Sequence, residues 1–272
     1  MMTSSTETNV HEFACAGPID IHVHMHSGDV TVTTVDNPVA VVAVSPEDDS
    51  AASREAVAQT IVSFENNRLR VETPPTTGVG WLSFRRARVR VSLSVPVDST
   101  LTTRLGSADL RTEGRLGAVN AHTGSGDVFV AETSGDLSVE SGSGDVRCGR
   151  IGGLLRAHTA SGDITANEVA GETVVDAASG DVALLTARGS LRAKTASGDI
   201  RVGALHGRDA RIDAASGDIT VGVPAGTSVW LDLASLSGST RNDLTPSGEP
   251  EGGPALSLRV HTMSGDIRVH RA

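Results

Sequence analysis

The chain has 272 residues, 23 Lys and Arg against 33 Asp and Glu, and a formal net charge of -10 at pH 7. That acidic surplus repels phosphate backbones and argues against nucleic acid as the main partner. Aromatic residues make up only 2% of the chain, with no Tyr, while Gly reaches 30, so the core must be thin and aliphatic, and the composition argues against base-stacking platforms. No apolar run reaches the length of a membrane span. The opening MMTSSTETNVHEFACAG lacks the basic and apolar regions of a secretory signal, so the expected compartment is the cytoplasm. Two cysteines, Cys15 and Cys148, are too few for a disulfide framework or a cysteine zinc site and read as packing thiols.

In chain order, residues 1–12 read as a disordered polar tail and residues 13–98 as a β-rich segment. From Ile19 onward, Ile21, Val23 and Met25 alternate with His22, His24 and His26, which puts three histidines on one face of a strand. An HxH pair on a strand suits a metal, but no carboxylate-rich motif points at these residues, and an exposed or interface face is the expected role. Residues 39–44 form a second strand. Residues 50–59 are the one plausible helix, with Ser50 or Ser53 as N-cap, and residues 61–64 and 69–72 flank ENNR as a hairpin. The stretch GVGWLSFRRARVRV, residues 78–91, puts Trp81 and Phe84 beside Arg85, Arg86 and Arg88. Such a composition marks either a partner patch or a cover over the first layer of the fold.

A repeat dominates the remainder. SGD begins at Ser125, Ser143, Ser161, Ser179 and Ser197, 18 residues apart, and at Ser216 after 19; SAD at Ser107 lies one period upstream. SGS at Ser237 and SGD at Ser264 follow at looser spacings, and an isolated SGD sits at Ser27. After each turn, pairs such as Val146 and Cys148, Ile164 and Ala166, or Ile200 and Val202 alternate with polar residues, a period of two that means strands. One such unit cannot bury its apolar face alone. Copies must therefore stack as parallel, in-register strands. The expected fold is all-β: a parallel β-solenoid of about eight 18-residue rungs over residues 99–272, an excursion loop at 238–254, and residues 13–98 as a cap layer continuous with it.

Between the core positions, His122, Glu140, His158, Asp176, Lys194 and Asp213 form an outward ladder of alternating charge, which stabilises neighbouring rungs modestly. Stacked turns bring Asp127, Asp145, Asp163, Asp181, Asp199 and Asp218 into one column. The expected role is structural, with carboxylates accepting turn N–H groups. Calcium between turns is the sharper alternative, although SGD departs from the GGxGxDxUx pattern because its Gly and Asp are adjacent. Catalysis needs a singular constellation, and the Asp column has none, so no catalytic, cofactor or metal residues are expected. The last unit, with Ile267 and Val269, lacks an obvious cap and would be an open terminal rung.

The SGD[VI] array, the earlier HSGDVTV from His26 to Val32 and the junction VRVSLSVPVDSTLTTRLGSADL from Val89 to Leu110 resemble the DUF4097-type β-strand repeat proteins of bacteria, an adhesin-type family. The resemblance covers residues 13–270 and implies a right-handed solenoid with no established catalytic residues. The functional expectation is a non-enzymatic scaffold that binds an unknown protein partner or itself. An adhesin-like surface module binding glycan or protein is the alternative, and a carbohydrate-active β-helix enzyme a distant third.

Overall fold

The computed structural model describes residues 8–74, 87–244 and 256–272. It divides into two compact units, Met1–Gly135 and Asp136–Ala272.

The first unit is organised around a long strand. Its elements are β1 (Asn9–Ala14), β2 (Asp20–Val35), β3 (Val39–Pro46), α1 (Ala51–Gln59), β4 (Ile61–Glu65), β5 (Arg68–Glu72), β6 (Val89–Pro96), β7 (Thr100–Leu116), β8 (Val119–Thr123) and β9 (Val128–Thr133). The first half of β2 runs parallel to β5 and its second half parallel to β6, while β7 pairs in parallel along nearly all of it. The other edge of β7 carries β8 and then β9. Beyond β6 the order becomes antiparallel, through β3 to β1. Ser27 and Asp29 lie opposite Ser107 and Asp109, so the isolated SGD is an early copy of the same corner.

Local chemistry accounts for the smaller elements. Ser50 Oγ accepts the Ser53 N–H at 3.0 Å and caps α1, as its sequence suggests. Ser53, fully buried, accepts the Arg88 N–H and so ties the helix to the approach of β6. Asn66 and Asn67 both have positive φ, +50° and +62°, in a two-residue turn that twists β4 and β5 into a hairpin. The segment expected to be a tail contains β1, because Val39–Val44 supplies backbone partners for residues 9–14 that local composition does not reveal. The rest of that segment that is described is residue 8.

The second unit is a parallel β-solenoid with two strands per rung. One ladder holds β10 (Leu137–Ser143), β12 (Leu155–Ser161), β14 (Thr173–Ser179), β16 (Leu191–Ser197) and β18 (Asp209–Ser216). The other holds β11 (Val146–Ile151), β13 (Ile164–Val169), β15 (Val182–Ala187), β17 (Ile200–Leu205) and β19 (Ile219–Val223). Every pairing from β10 to β18 is residue-for-residue in register at the 18- or 19-residue period. Inward positions form buried columns: Leu137, Leu155, Thr173, Leu191 and Ala210 in one, Val146, Ile164, Val182, Ile200 and Ile219 facing it from the other ladder. Next to the SGD corner the column shrinks to Ser141, Thr159, Ala177, Thr195 and Ala214, so the two ladders close on small side chains there.

The last two rungs are out of chain order. β20 (Val229–Ser237) and β21 (Thr240–Asn242) come first in sequence, but β22 (Leu256–Ser264) and β23 (Ile267–Arg271) pair directly with β18 and β19. β20 and β21 then pair on the far side of β22 and β23. Ile267 and Val269, expected in an open terminal rung, are buried at 1% and 0% exposure between β19 and β21. The reason is complementarity: β22 repeats the Leu–Leu–Val–Thr column and Ser264 stacks on Ser216, whereas β20 has a weaker inward series. The stretch 238–254, expected to be a loop, contributes β21 at its start, and residues 245–254 lie outside the described residues.

Candidate functional site

The corner column is built from glycine and aspartate together. Gly144, Gly162, Gly180, Gly198, Gly217 and Gly265 all have φ between +136° and +153°, where an L side chain is strained. They also stack so closely that a Cβ at Gly198 would stand 2.1 Å from the Gly180 carbonyl oxygen. Each Asp then reaches to the next rung. Asp145 Oδ1 accepts the Asp163 N–H at 3.0 Å, Asp163 that of Asp181 at 2.8 Å, Asp181 that of Asp199 at 2.8 Å, and Asp199 that of Asp218 at 2.9 Å. Asp218 continues to Asp266 across the reordered rung, and Asp266 accepts from Ser239, which holds its carboxyl below the usual range. In the first unit Asp109 accepts from Asp127 at 2.9 Å. The repulsion between stacked carboxylates is thus offset by one ionised-acceptor hydrogen bond per rung, with Arg147 on Asp145 and Arg201 on Asp181 and Asp199. One oxygen each of Asp145, Asp163, Asp181, Asp199 and Asp218 thus accepts a backbone N–H of the neighbouring rung. Among the described residues no group of three or more His, Cys, Asp or Glu side chains is arranged to hold a metal.

The outward ladder has the expected register: Glu140 lies opposite His158, then Asp176, Lys194 and Asp213 in turn. The structure extends it by one charge, since His261 sits between Asp213 at 3.6 Å and Asp232 at 3.5 Å. Of the aromatic–arginine patch, Trp81, Phe84, Arg85 and Arg86 lie outside the described residues. Arg88 pairs with Glu47 at 3.4 Å and its backbone is bound to α1.

Two surfaces remain. One is the outer face of β5, β2 and β7, where register aligns Arg70, His22 and Thr102 in one row and Glu72, His24 and Arg104 in the next. These six residues line a shallow depression of about 290 Å³. Below it Asp20 accepts from Arg68 at 2.8 Å, from Thr100 at 3.1 Å and meets His22 at 3.1 Å, while His24 and His26 have ring centroids 5.6 Å apart. Burial, and then the neighbouring His24, holds His26 below the ordinary histidine range.

The other surface is the β20–β21 edge. Among the described residues these strands pair only with β22 and β23, and they expose Leu236 at 82% and Trp230 at 46%, with the Arg259 guanidinium 5.6 Å from the indole centre. An acidic chain with few aromatics places one of its two tryptophans on an edge strand, where strand-to-strand addition is cheapest.

The family described as Toastrack DUF4097 matches residues 19–270. The chain belongs to this Toastrack family. Among solved structures, a candidate adhesin from Bacteroides fragilis is 14% identical with a TM-score of 0.50, covering 97% of this chain and 98% of its own. A candidate lipid-binding protein from Parabacteroides distasonis is 15% identical with a TM-score of 0.52, covering 98% and 97%. At these identities the likeness is one of fold. No curated protein matches the chain.

The edge was not visible as a site in the Toastrack sequence. Val229, Leu231 and Leu233 alternate like a rung, and the 21-residue step to SGS at Ser237 hinted at a looser fit. Nothing local tells that a later segment, Leu256–Arg271, would enter between this rung and the array.

Proposed function

We propose that the chain is a non-enzymatic β-solenoid binding protein that pairs with a second copy of itself through the β20–β21 edge. The observation that carries this reading is an outermost rung hydrogen-bonded on one side among the described residues and bearing exposed Trp230 and Leu236. Unpaired strand N–H and C=O groups beside apolar side chains favour addition of another strand. Two identical edges related by a two-fold axis meet antiparallel and close as a dimer. The regular Asp and charge columns are engaged in holding the rungs together, in equivalent surroundings repeated from rung to rung, which supports binding over catalysis.

Light scattering across a hundredfold concentration range tests the reading: the mass rises toward twice the monomer and levels off, and Leu236→Asp holds it at the monomer. A wild-type mass constant at the monomer value overturns it.

A second reading, an adhesin-like module binding glycan or protein at a cell surface, draws on the fold shared with the Bacteroides fragilis candidate adhesin. The first reading goes with a cytoplasmic location and the second requires export, so fractionation that finds the protein only in cytosol disposes of the second.

A further inference from the structure

The depression on the outer face of β5, β2 and β7 is positively charged in a chain that is negative overall, and the source of that charge is specific. Arg68, one residue row below, is neutralised on Asp20. Arg70 and Arg104 form no ion pair with any described residue, although the chain has a surplus of acids to offer. Their positions are fixed by register. They occupy opposite corners of a two-row lattice, one on each strand flanking β2, with Cα atoms about 12 Å apart for parallel strands at this spacing. Two long cationic side chains thus border the space above His22 and His24, and Thr102 at a third corner adds a hydroxyl. Glu72 fills the fourth corner and is the one acid in the lining.

We propose that this depression is a binding site for the oxyanion of a small acidic ligand, a carboxylate or a phosphate, held between Arg70 and Arg104 above His22 and His24. Guanidinium groups match both anions in geometry and charge. At neutral pH the lining carries two arginines against one glutamate.

The surrounding charges do not cancel this. β4 contributes Glu65, which lies opposite Arg68 and away from the two-row lattice. Asp20 on β2 is bound by Arg68 and Thr100 as well as His22, and Glu72 is the acid that opposes the anion from within the lining. β8 brings Asn120 opposite Thr102 and His122 opposite Arg104 on the far side. The volume of about 290 Å³ admits a monosaccharide-sized ligand rather than a bare ion alone.

Isothermal titration calorimetry at pH 7.5 and constant ionic strength, with sodium galacturonate, inorganic phosphate and neutral galactose, tests the proposal. Wild-type protein binds at least one of the two anions and does not bind galactose. Preference for galacturonate assigns a carboxylate ligand and preference for phosphate a phosphate, either upholding the site. Arg70→Gln with Arg104→Gln abolishes binding, and Glu72→Gln strengthens it. Melting temperatures confirm that each variant is folded, and Arg147→Gln, in the other unit, serves as the unchanged control. Failure of both anions to bind, equal binding of galactose, or wild-type affinity in the double arginine variant overturns the proposal.

Discussion

Replacing Gly198 by alanine separates the two demands that the SGD corner makes on its glycine. The φ of +144° costs any L residue about 1–3 kcal/mol. The added Cβ also stands 2.1 Å from the Gly180 carbonyl oxygen, more than 1 Å inside contact distance, and that oxygen belongs to backbone fixed by the rung below. Relief requires the rungs to part locally. That strains the hydrogen bonds from Gly180 N–H to the Ser197 carbonyl at 3.0 Å and from Asp199 N–H to Asp181 at 2.8 Å, each contributing about 1 kcal/mol. The expected loss is therefore about 3–5 kcal/mol, a large share of the stability of an ordinary domain. Gly17 supplies the comparison, with φ of +151° and nothing within 4 Å of its Cβ position, so Gly17→Ala loses the backbone contribution alone. Urea denaturation followed by circular dichroism measures both. Equal destabilisation of the two variants would refute the close-stacking argument.

Other outcomes follow from the same geometry. Ile267→Ala destabilises by about 3 kcal/mol, because its side chain is buried between β19 and β21, whereas Leu236→Ala changes stability by less than about 0.5 kcal/mol; urea denaturation showing the reverse would contradict the rung order. Excess Ca²⁺ and a chelator give the same melting temperature, since the carboxylates of the Asp column are engaged with N–H groups; a rise with Ca²⁺ would restore the calcium alternative. Burial pushes the Cys148 thiol up to about 12, so Ellman's reagent at pH 8 modifies Cys15 and reaches Cys148 only in denaturant. Hydrogen bonds from Arg115 and then Ser134 hold the Asp98 carboxyl below the ordinary range. Its contribution is present above the ordinary carboxylate pKa and is lost as pH falls through the lowered one, so Asp98→Asn flattens the decline of stability below about pH 4 in acid titrations.

How much of this was legible in the sequence depended on whether the information was local or periodic. The SGD period fixed the parallel register of β10 to β18, because a one-residue slip would have turned Leu155 or Val175 to solvent. It also brought the Asp column and the charge ladder to their observed places. The Ser50 cap and the ENNR hairpin were legible for the same reason, since their signals lie within a few residues. The pairing of β1 with β3 was not, because a six-residue polar strand is defined by a partner about 30 residues away. The insertion of β22 and β23 beneath β20 and β21 was hidden too: periodic sequences specify which residues stack but leave the order of the last copies to small differences in fit. The Arg70–Arg104 depression escaped because its cations come from β5 and β7, on either side of the histidine strand that alone attracted notice.

Hydrogen–deuterium exchange of the full chain at low and high protein concentration tests the binding-edge account most directly. The account predicts that amides in Val229–Asn242 exchange quickly in dilute protein and become protected as concentration rises, while those of Leu137–Ile151 are unchanged. Exchange in Val229–Asn242 that is independent of concentration, or protection gained on another surface instead, would contradict it.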